Sequence, residues 1–304
     1  MIGKRDNLAT ALCPPAHLET LGIRKDQFSI YDLLMTSYVY DPKLEIEIDR
    51  LRERDKRTSI RRSKALEGII FPEAADILDI GSGTGVLGFD LLTRIEHSSL
   101  VSIDLEPSVL LKARNSQPEN LSSSYVTSDA FNLPFIDGTF GVVSCQYVLQ
   151  HLTDPESALR EMYRVSNECA LAVIFEWDDG VNFVHPQPPE ALAKVFNAKT
   201  RLINQRGGDR NIGRKLYHLL ASTGWTDIEV KLIEDIWQGP EDRSVFLKGT
   251  ELSLFELKPQ LVGSGLITDC DYELAIEQLY EFYSGDVFSV VFFFAAFGRK
   301  HVTH

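Results

Sequence analysis

Asp79, the run Gly81-Ser82-Gly83-Thr84-Gly85 and Asp104 form the densest group of chemistry-bearing residues in the chain. Glycines let a backbone turn sharply and let a ligand approach where a Cβ would block it. A helix that starts just after such a loop adds free N–H groups aimed at the same ligand. A carboxylate at the tip of the next strand can accept two hydrogen bonds from a ribose diol. The loop reads G-x-G-x-G. The sixth position from Gly81 is Val86, so the G-x-G-x-x-G of a dinucleotide site is absent. Asp79, two residues upstream, would also repel a pyrophosphate. It would not repel a ligand that joins an adenosine to an amino-acid head group.

The elements that must position these residues follow from the hydrophobic pattern. Ile77 to Ile80 reads as a short strand, Val86 to Arg94 as a helix, Leu100 to Asp104 as a second strand and Pro107 to Asn115 as a second helix. Tyr125 to Thr127 is a weak third strand and Phe140 to Cys145 a fourth. Asp154 as N-cap and Pro155 at the first position open a helix to Val165, and Ala170 to Glu176 is a fifth strand. Alternating strands and helices predict a parallel sheet covered on both faces. After Trp177 the alternation pauses over Asp178 to Gly208, with a helix from Glu190. Asn211 caps a helix to about Ser222, ended by Gly224. Asp227 to Ile236 is a sixth strand, Glu241 to Ser284 a helical insertion, and Val287 to Phe297 a last, almost wholly apolar strand. That apolarity places it inside the sheet.

The motifs resemble those of the class I methyltransferases that use S-adenosylmethionine, in the branch of quinone-biosynthesis and natural-product enzymes. Ile77 to Gly85 is similar to that family's first motif almost letter for letter. Asp104 stands at the family's ribose-binding acid. Ser128-Asp129-Ala130 with Leu133-Pro134-Phe135 resembles the adenine-binding segment, and Asp137 to Phe140 the turn before strand four. Val148 to Leu152, Ala158 to Met162, Gly213 to Leu216 and Thr223-Gly224-Trp225 match further segments, so the resemblance covers about residues 68–236 and the final strand. It departs at Gly141, usually acidic, and at Ser166 to Cys169, which replace a Pro-Gly-Gly turn. It implies an α/β, doubly wound, mostly parallel seven-stranded sheet of order 3-2-1-4-5-7-6 with the last strand antiparallel. It implies a Rossmann-like domain over 69–304, an N-terminal helical cap over 1–68, and cap insertions at about 178–208 and 241–284. The cofactor is S-adenosyl-L-methionine. The residues implied to bind it are Asp79, Gly81, Ser82, Gly83, Asp104, Leu105, Asp129, Ala130 and Gln146. One of the cap tyrosines Tyr31, Tyr38 and Tyr40, with Tyr31 first, covers its methionine end or else packs the cap.

Methyl transfer from a sulfonium is an in-line displacement with an excellent leaving group, so positioning and electrostatics carry much of it. A base is needed only if the acceptor must lose a proton. The candidates are His151, His185 and Glu176. His151, after strand four, either takes a proton or closes the cofactor pocket. His185 lies among prolines, held over the site or simply exposed. Glu176 and Asp178 follow strand five at the carboxyl edge, where open α/β sheets bind ligands, or merely terminate the strand.

Composition narrows the function. The 304 residues carry 31 Lys and Arg against 44 Asp and Glu, a net charge of −13, which disfavours general nucleic-acid binding. Arg50 to Lys64 is a local basic run, expected to be a solvated helix face. Cys13, Cys145, Cys169 and Cys270 are scattered, with no spacing for a zinc site, and no metal is expected. The start has no apolar leader, and the longest apolar run, Val287 to Phe297, is shorter than the ~20 residues a membrane span needs. The expectation is a cytoplasmic protein acting on a small-molecule acceptor, with no nucleic-acid or membrane partner, whose helical caps would be the surface for any homo-oligomer. A nucleic-acid or protein methyltransferase is an alternative. It lacks support because Cys145-Gln146-Tyr147 stands where a Pro-Pro turn would be. A non-methylating S-adenosylmethionine-binding protein on the same fold is another.

Overall fold

Ile77, Leu78, Asp79 and Ile80 are all buried, as residues of a strand covered on both faces must be. They form β1, the centre of the sheet. The structure, a computed structural model, describes residues 58–118, 123–238 and 240–301. Helix α1 occupies 58–66. Then follow β1 (Ile77–Ile80), α2 (Val86–Arg94), β2 (Leu100–Asp104), α3 (Pro107–Asn115), β3 (Ser123–Thr127), β4 (Phe140–Gln146), α4 (Pro155–Val165) and β5 (Ser166–Trp177). The second half holds β6 (Phe183–His185), α5 (Glu190–Gln205), α6 (Leu216–Ser222), β7 (Thr226–Trp237), α7 (Pro240–Gly263), α8 (Asp269–Ser284) and β8 (Phe288–Arg299).

The sheet order is β3-β2-β1-β4-β5-β8-β6, with β7 pairing β8 on its other side. The first five strands in space are parallel, and β8 runs antiparallel to β5 and β7. This is the expected order with one correction: among the described residues the sheet has eight strands rather than seven. The extra strand, β6, is three residues long and pairs Phe183 with Val290 and His185 with Phe288. It continues the edge of β8 beyond the last β5 pair, Trp177 with Phe293. Its side chains are exposed or half-buried, so no buried apolar run announces it. A second correction concerns Asn211. Helix α6 begins only after a 3-10 turn at Gly213–Lys215 and has no side-chain cap.

Each sheet face has its own core. Leu78, Ile103, Val143, Leu159, Leu216 and Trp225 lie in one, under α4 and α6. Ile77, Leu87, Leu91, Val173 and Phe293 lie in the other, under α1 and α2. Helices α5, α7 and α8 share a third core around Val195, Leu257 and Ala275. The two insertions, far apart in sequence, therefore form one helical layer.

Helix α1 corrects the reading of the basic run. Thr58, Arg61, Arg62, Ala65 and Leu66 are buried, while Ser59, Ile60, Ser63 and Lys64 are exposed. The buried set has the spacing i, i+3, i+4, i+7, i+8 of a helix face turned inward. Arg61 lies over the Phe293 ring at 4.0 Å and pairs with Asp235 of β7. Lys64 pairs with Glu234. Lys231 donates to the carbonyls of Ala65 and Glu67 at 3.0 and 2.7 Å. Arg61 and Lys231 thus fasten α1 to the outer strands, while Lys64 makes its pair at the surface. Residues 50–57 of the run lie outside the described residues.

Candidate active site

The carboxyl ends of β1, β2 and β4 meet around the glycine loop. Gly81, Gly83 and Gly85 all take positive φ, of 59°, 55° and 83°. At Gly81 a Cβ would stand 2.5 Å from a Val148 methyl, so the loop packs directly on the turn after β4. At Gly83 a Cβ would meet nothing within 4 Å, so the loop's second glycine borders open space. Helix α2 starts at Gly85, which offers no side-chain cap, and has no acid in its first turn; of its first-turn N–H groups, that of Gly88 is taken by Asp79 from below.

Asp104, half-buried, ends β2 beside this space. Its Oδ2 accepts the Gly83 N–H at 3.0 Å and its Oδ1 the Glu106 N–H at 3.1 Å. Burial raises its pKa, and the two N–H groups oppose that rise. Leu105 is exposed next to it. Asp129 and Ala130 lie half-buried after β3, and Asp129 Oδ1 accepts the Phe131 N–H at 3.0 Å. Ser82 Oγ is buried without a hydrogen-bond partner among the described residues.

Asp79 is 1% exposed and points inward. Ser144 donates to its Oδ1 at 2.8 Å and the Gly88 N–H to its Oδ2 at 3.1 Å. It thus ties α2 to β1 and β4 beneath the loop. Burial pushes its pKa up to about 7, against the pull of those bonds and of Arg62. Gln146, at the end of β4, accepts from Arg62 at 3.3 Å. Tyr31 lies outside the described residues.

The catalytic candidates do not converge. Glu176 is fully buried, and its Oε1 accepts the Leu149 N–H at 2.6 Å while Oε2 has no hydrogen-bond partner among the described residues. Burial raises its pKa to about 8, with the backbone N–H groups of the turn pulling the other way. It holds the short helical turn Leu149–His151 rather than facing an open site. His151 closes that turn, 8% exposed. His185 stands exposed on β6, at the edge of the sheet. Asp178, fully buried, is taken by Arg214, whose backbone N–H and Nε both donate to Oδ2 at 3.0 and 2.7 Å. Arg210 holds Asp179 through two bonds of 2.7 and 2.8 Å and also reaches Gln150. The Asp178–Arg214 pair ties the start of the first insertion to the turn before α6, and Arg210 joins it to the turn after β4 through Gln150. Trp177 packs on Tyr147 at 5.3 Å and Phe293 at 4.3 Å, an aromatic group at the ends of β4 and β5.

Sequence reasoning missed Arg62. It is 5% exposed, lies between α1, α2 and β4, and was hidden inside a run that looked solvated. The helical spacing of 58, 61, 62, 65 and 66 was the available signal.

Comparison with known proteins agrees with this geometry. A methyltransferase domain family matches residues 78–173, from β1 into β5. The ubiquinone/menaquinone biosynthesis C-methyltransferase of Roseobacter denitrificans is 27% identical over 167 residues, covering 52% of this chain and 64% of that protein. The malonyl-acyl-carrier-protein O-methyltransferase of Geobacter sulfurreducens is 32% identical over 183 residues, 59% of this chain and 66% of that protein. The chain thus spans just under two thirds of the length of each. The solved YcgJ protein of Bacillus subtilis superposes with a TM-score of 0.51 at 14% identity, over 82% of this chain and all of that one, and shares the fold. Residues 78–173 match a methyltransferase domain, and the Rossmann-like reading of the sheet holds. Among the described residues no helix is long and apolar enough to cross a membrane.

Proposed function

We propose that the chain transfers the methyl group of S-adenosylmethionine to a small-molecule acceptor held between the carboxyl edge of the sheet and the helical layer. The observation that carries this reading is the pairing of Gly83, beside open space, with the Asp104 carboxylate 3.0 Å from its N–H. The residues fit the cofactor: a glycine loop running into a helix start, an acid at the tip of β2 and a second acid after β3. S-adenosylmethionine supplies a methyl group already activated by a neutral sulfide leaving group.

The chain's own residues then have separable tasks. Asp104 binds the ribose hydroxyls. Asp129 and Ala130 border the adenine, with Leu105 on its other side. Gly81, Ser82 and Gly83 give the backbone approach. Asp79 holds α2 and the loop in register from below. Gln146 and the 147–151 turn face the reacting end. His151 takes a proton where the acceptor atom carries one, and Glu176 positions its turn. His185 stands at the rim, where it can orient an acceptor. We further propose that residues 1–68 cap the cofactor end, with 69–304 as the transfer domain and the two insertions as its lid, so that closure excludes water from the acceptor.

The acceptor is a ring of quinone type in this reading. Support comes from the Roseobacter relative's name and from Trp177, half-buried at the carboxyl end of β5. The test is turnover: the chain, S-adenosylmethionine and hydroquinone acceptors, with S-adenosylhomocysteine and methylated product both measured. Product from a hydroquinone supports the proposal. Methylation of bulk RNA or histones instead would overturn the acceptor class. Binding of the cofactor with no methylated product from any acceptor class would favour a non-methylating role.

A further inference from the structure

Arg62 presents a buried positive charge that its neighbours do not fully compensate. Its side chain is 6% exposed. Nη1 donates to two neutral oxygens, Thr58 Oγ1 at 3.0 Å and Gln146 Oε1 at 3.3 Å. Nε is buried and makes no hydrogen bond among the described residues. The nearest carboxylate, Asp90 Oδ2, is 3.5 Å away, and Asp90 is also bound by Arg94 at 3.0 Å. One carboxylate therefore serves two guanidinium groups. Asp79 lies close enough to feel the Arg62 charge, but the bonds it makes are to Ser144 and Gly88. Its carboxyl also holds a proton up to about pH 7, so it is only partly charged at neutral pH. A buried guanidinium is costly unless an anion completes its shell.

Strand order says which anion. Asp104 and Asp129 mark the ribose and adenine over β2 and β3, on one side of β1. Gln146 ends β4, on the other side of β1, and Gly81 packs on Val148 of the same turn. The cofactor's amino-acid end therefore lies over β1 and β4, where Arg62 reaches Gln146. We infer that Arg62, on the helix before the matched domain, binds the carboxylate of the cofactor's amino-acid end. This rests on the cofactor reading above, and it assigns the contact to a residue outside the 78–173 match. Helix α1 thereby becomes part of the cofactor site as well as a support of the sheet.

The test is calorimetry on the full chain with three probes. These are S-adenosylhomocysteine, its decarboxylated analogue, and 5′-methylthioadenosine, which lacks the whole amino-acid end. Wild type should bind S-adenosylhomocysteine at least tenfold more tightly than the decarboxylated analogue. Arg62→Met should lose that preference, weakening S-adenosylhomocysteine at least tenfold and the other two less than twofold. Arg62→Lys should restore part of it. Equal weakening of all three probes would make Arg62 a packing residue and overturn the inference. The wild-type comparison needs no variant, so a preference near one overturns it even if Arg62→Met does not fold. Wild type that binds none of the probes would instead overturn the cofactor reading itself.

Discussion

Replacing Asp104 removes one carboxylate with two duties. In the fold it accepts the Gly83 and Glu106 N–H groups at 3.0 and 3.1 Å. In the proposed complex it also accepts the ribose hydroxyls. A hydrogen bond to a charged acceptor contributes about 1.5–3 kcal/mol. Two such bonds do not simply add, because the carboxylate is already shared with the backbone. A net loss of about 1.5–3 kcal/mol corresponds to roughly 10- to 150-fold in affinity. Asp104→Ala should weaken S-adenosylhomocysteine binding within that range. Asp104→Asn keeps one acceptor but turns an NH2 toward a backbone donor, so it should fall between wild type and Asp104→Ala. The half-buried setting gives the freed N–H groups access to water, so unfolding should shift by no more than about 1 kcal/mol. Calorimetry at pH 7 reads the affinity, and circular dichroism checks the fold. A folded Asp104→Ala with unchanged affinity would refute the reasoning.

Gly83→Val should leave the fold standing but abolish cofactor binding, since its Cβ enters open space while φ is +55°. Calorimetry and a thermal melt on one sample check both halves. Gly81→Ala should destabilise the chain, because the new methyl would sit 2.5 Å from Val148 at a φ of +59°. Val148→Ala in the same chain should recover part of the loss in a denaturant titration, and no recovery would exclude the clash as its cause. Glu176 keeps its proton to about pH 8 in the fold against 4.5 in its unperturbed state. The folded state therefore holds the extra proton between those values. The stabilisation from this group is complete below pH 4.5 and is lost as pH rises through about 8. Glu176→Gln should flatten that loss, so its melting midpoint should fall less than wild type between pH 5 and pH 8. Parallel curves would show that Glu176 is ionised throughout.

The parts of the fold that the sequence made legible are those where one periodicity dominates. β1, α2, β2, α3 and α4 start and end where the apolar runs, the glycines and Pro155 placed them. β5 extends back to Ser166, further than its apolar stretch, because Ser166 still pairs with Phe140. β6 was not legible: its three residues become a strand only through pairing with β8, a contact more than a hundred residues away. The α6 start was misplaced because Asn211, a residue type that suits a cap, here precedes a 3-10 turn at Gly213–Lys215. Within the site, the glycine loop and Asp104 were readable because their backbone demands are local. Arg62 and the inward role of Glu176 were not. Both depend on burial: the basic character of its run masked it at Arg62, and at Glu176 nothing local to the sequence marks it.

The most direct measurement is a crystal structure of the full chain with S-adenosylhomocysteine. The account predicts both ribose hydroxyls within hydrogen-bond distance of Asp104, the adenine beside Asp129 and Ala130, and the sulfur turned toward the 147–151 turn. Ligand bound elsewhere on the chain, or a glycine loop left empty at saturating ligand, would contradict it.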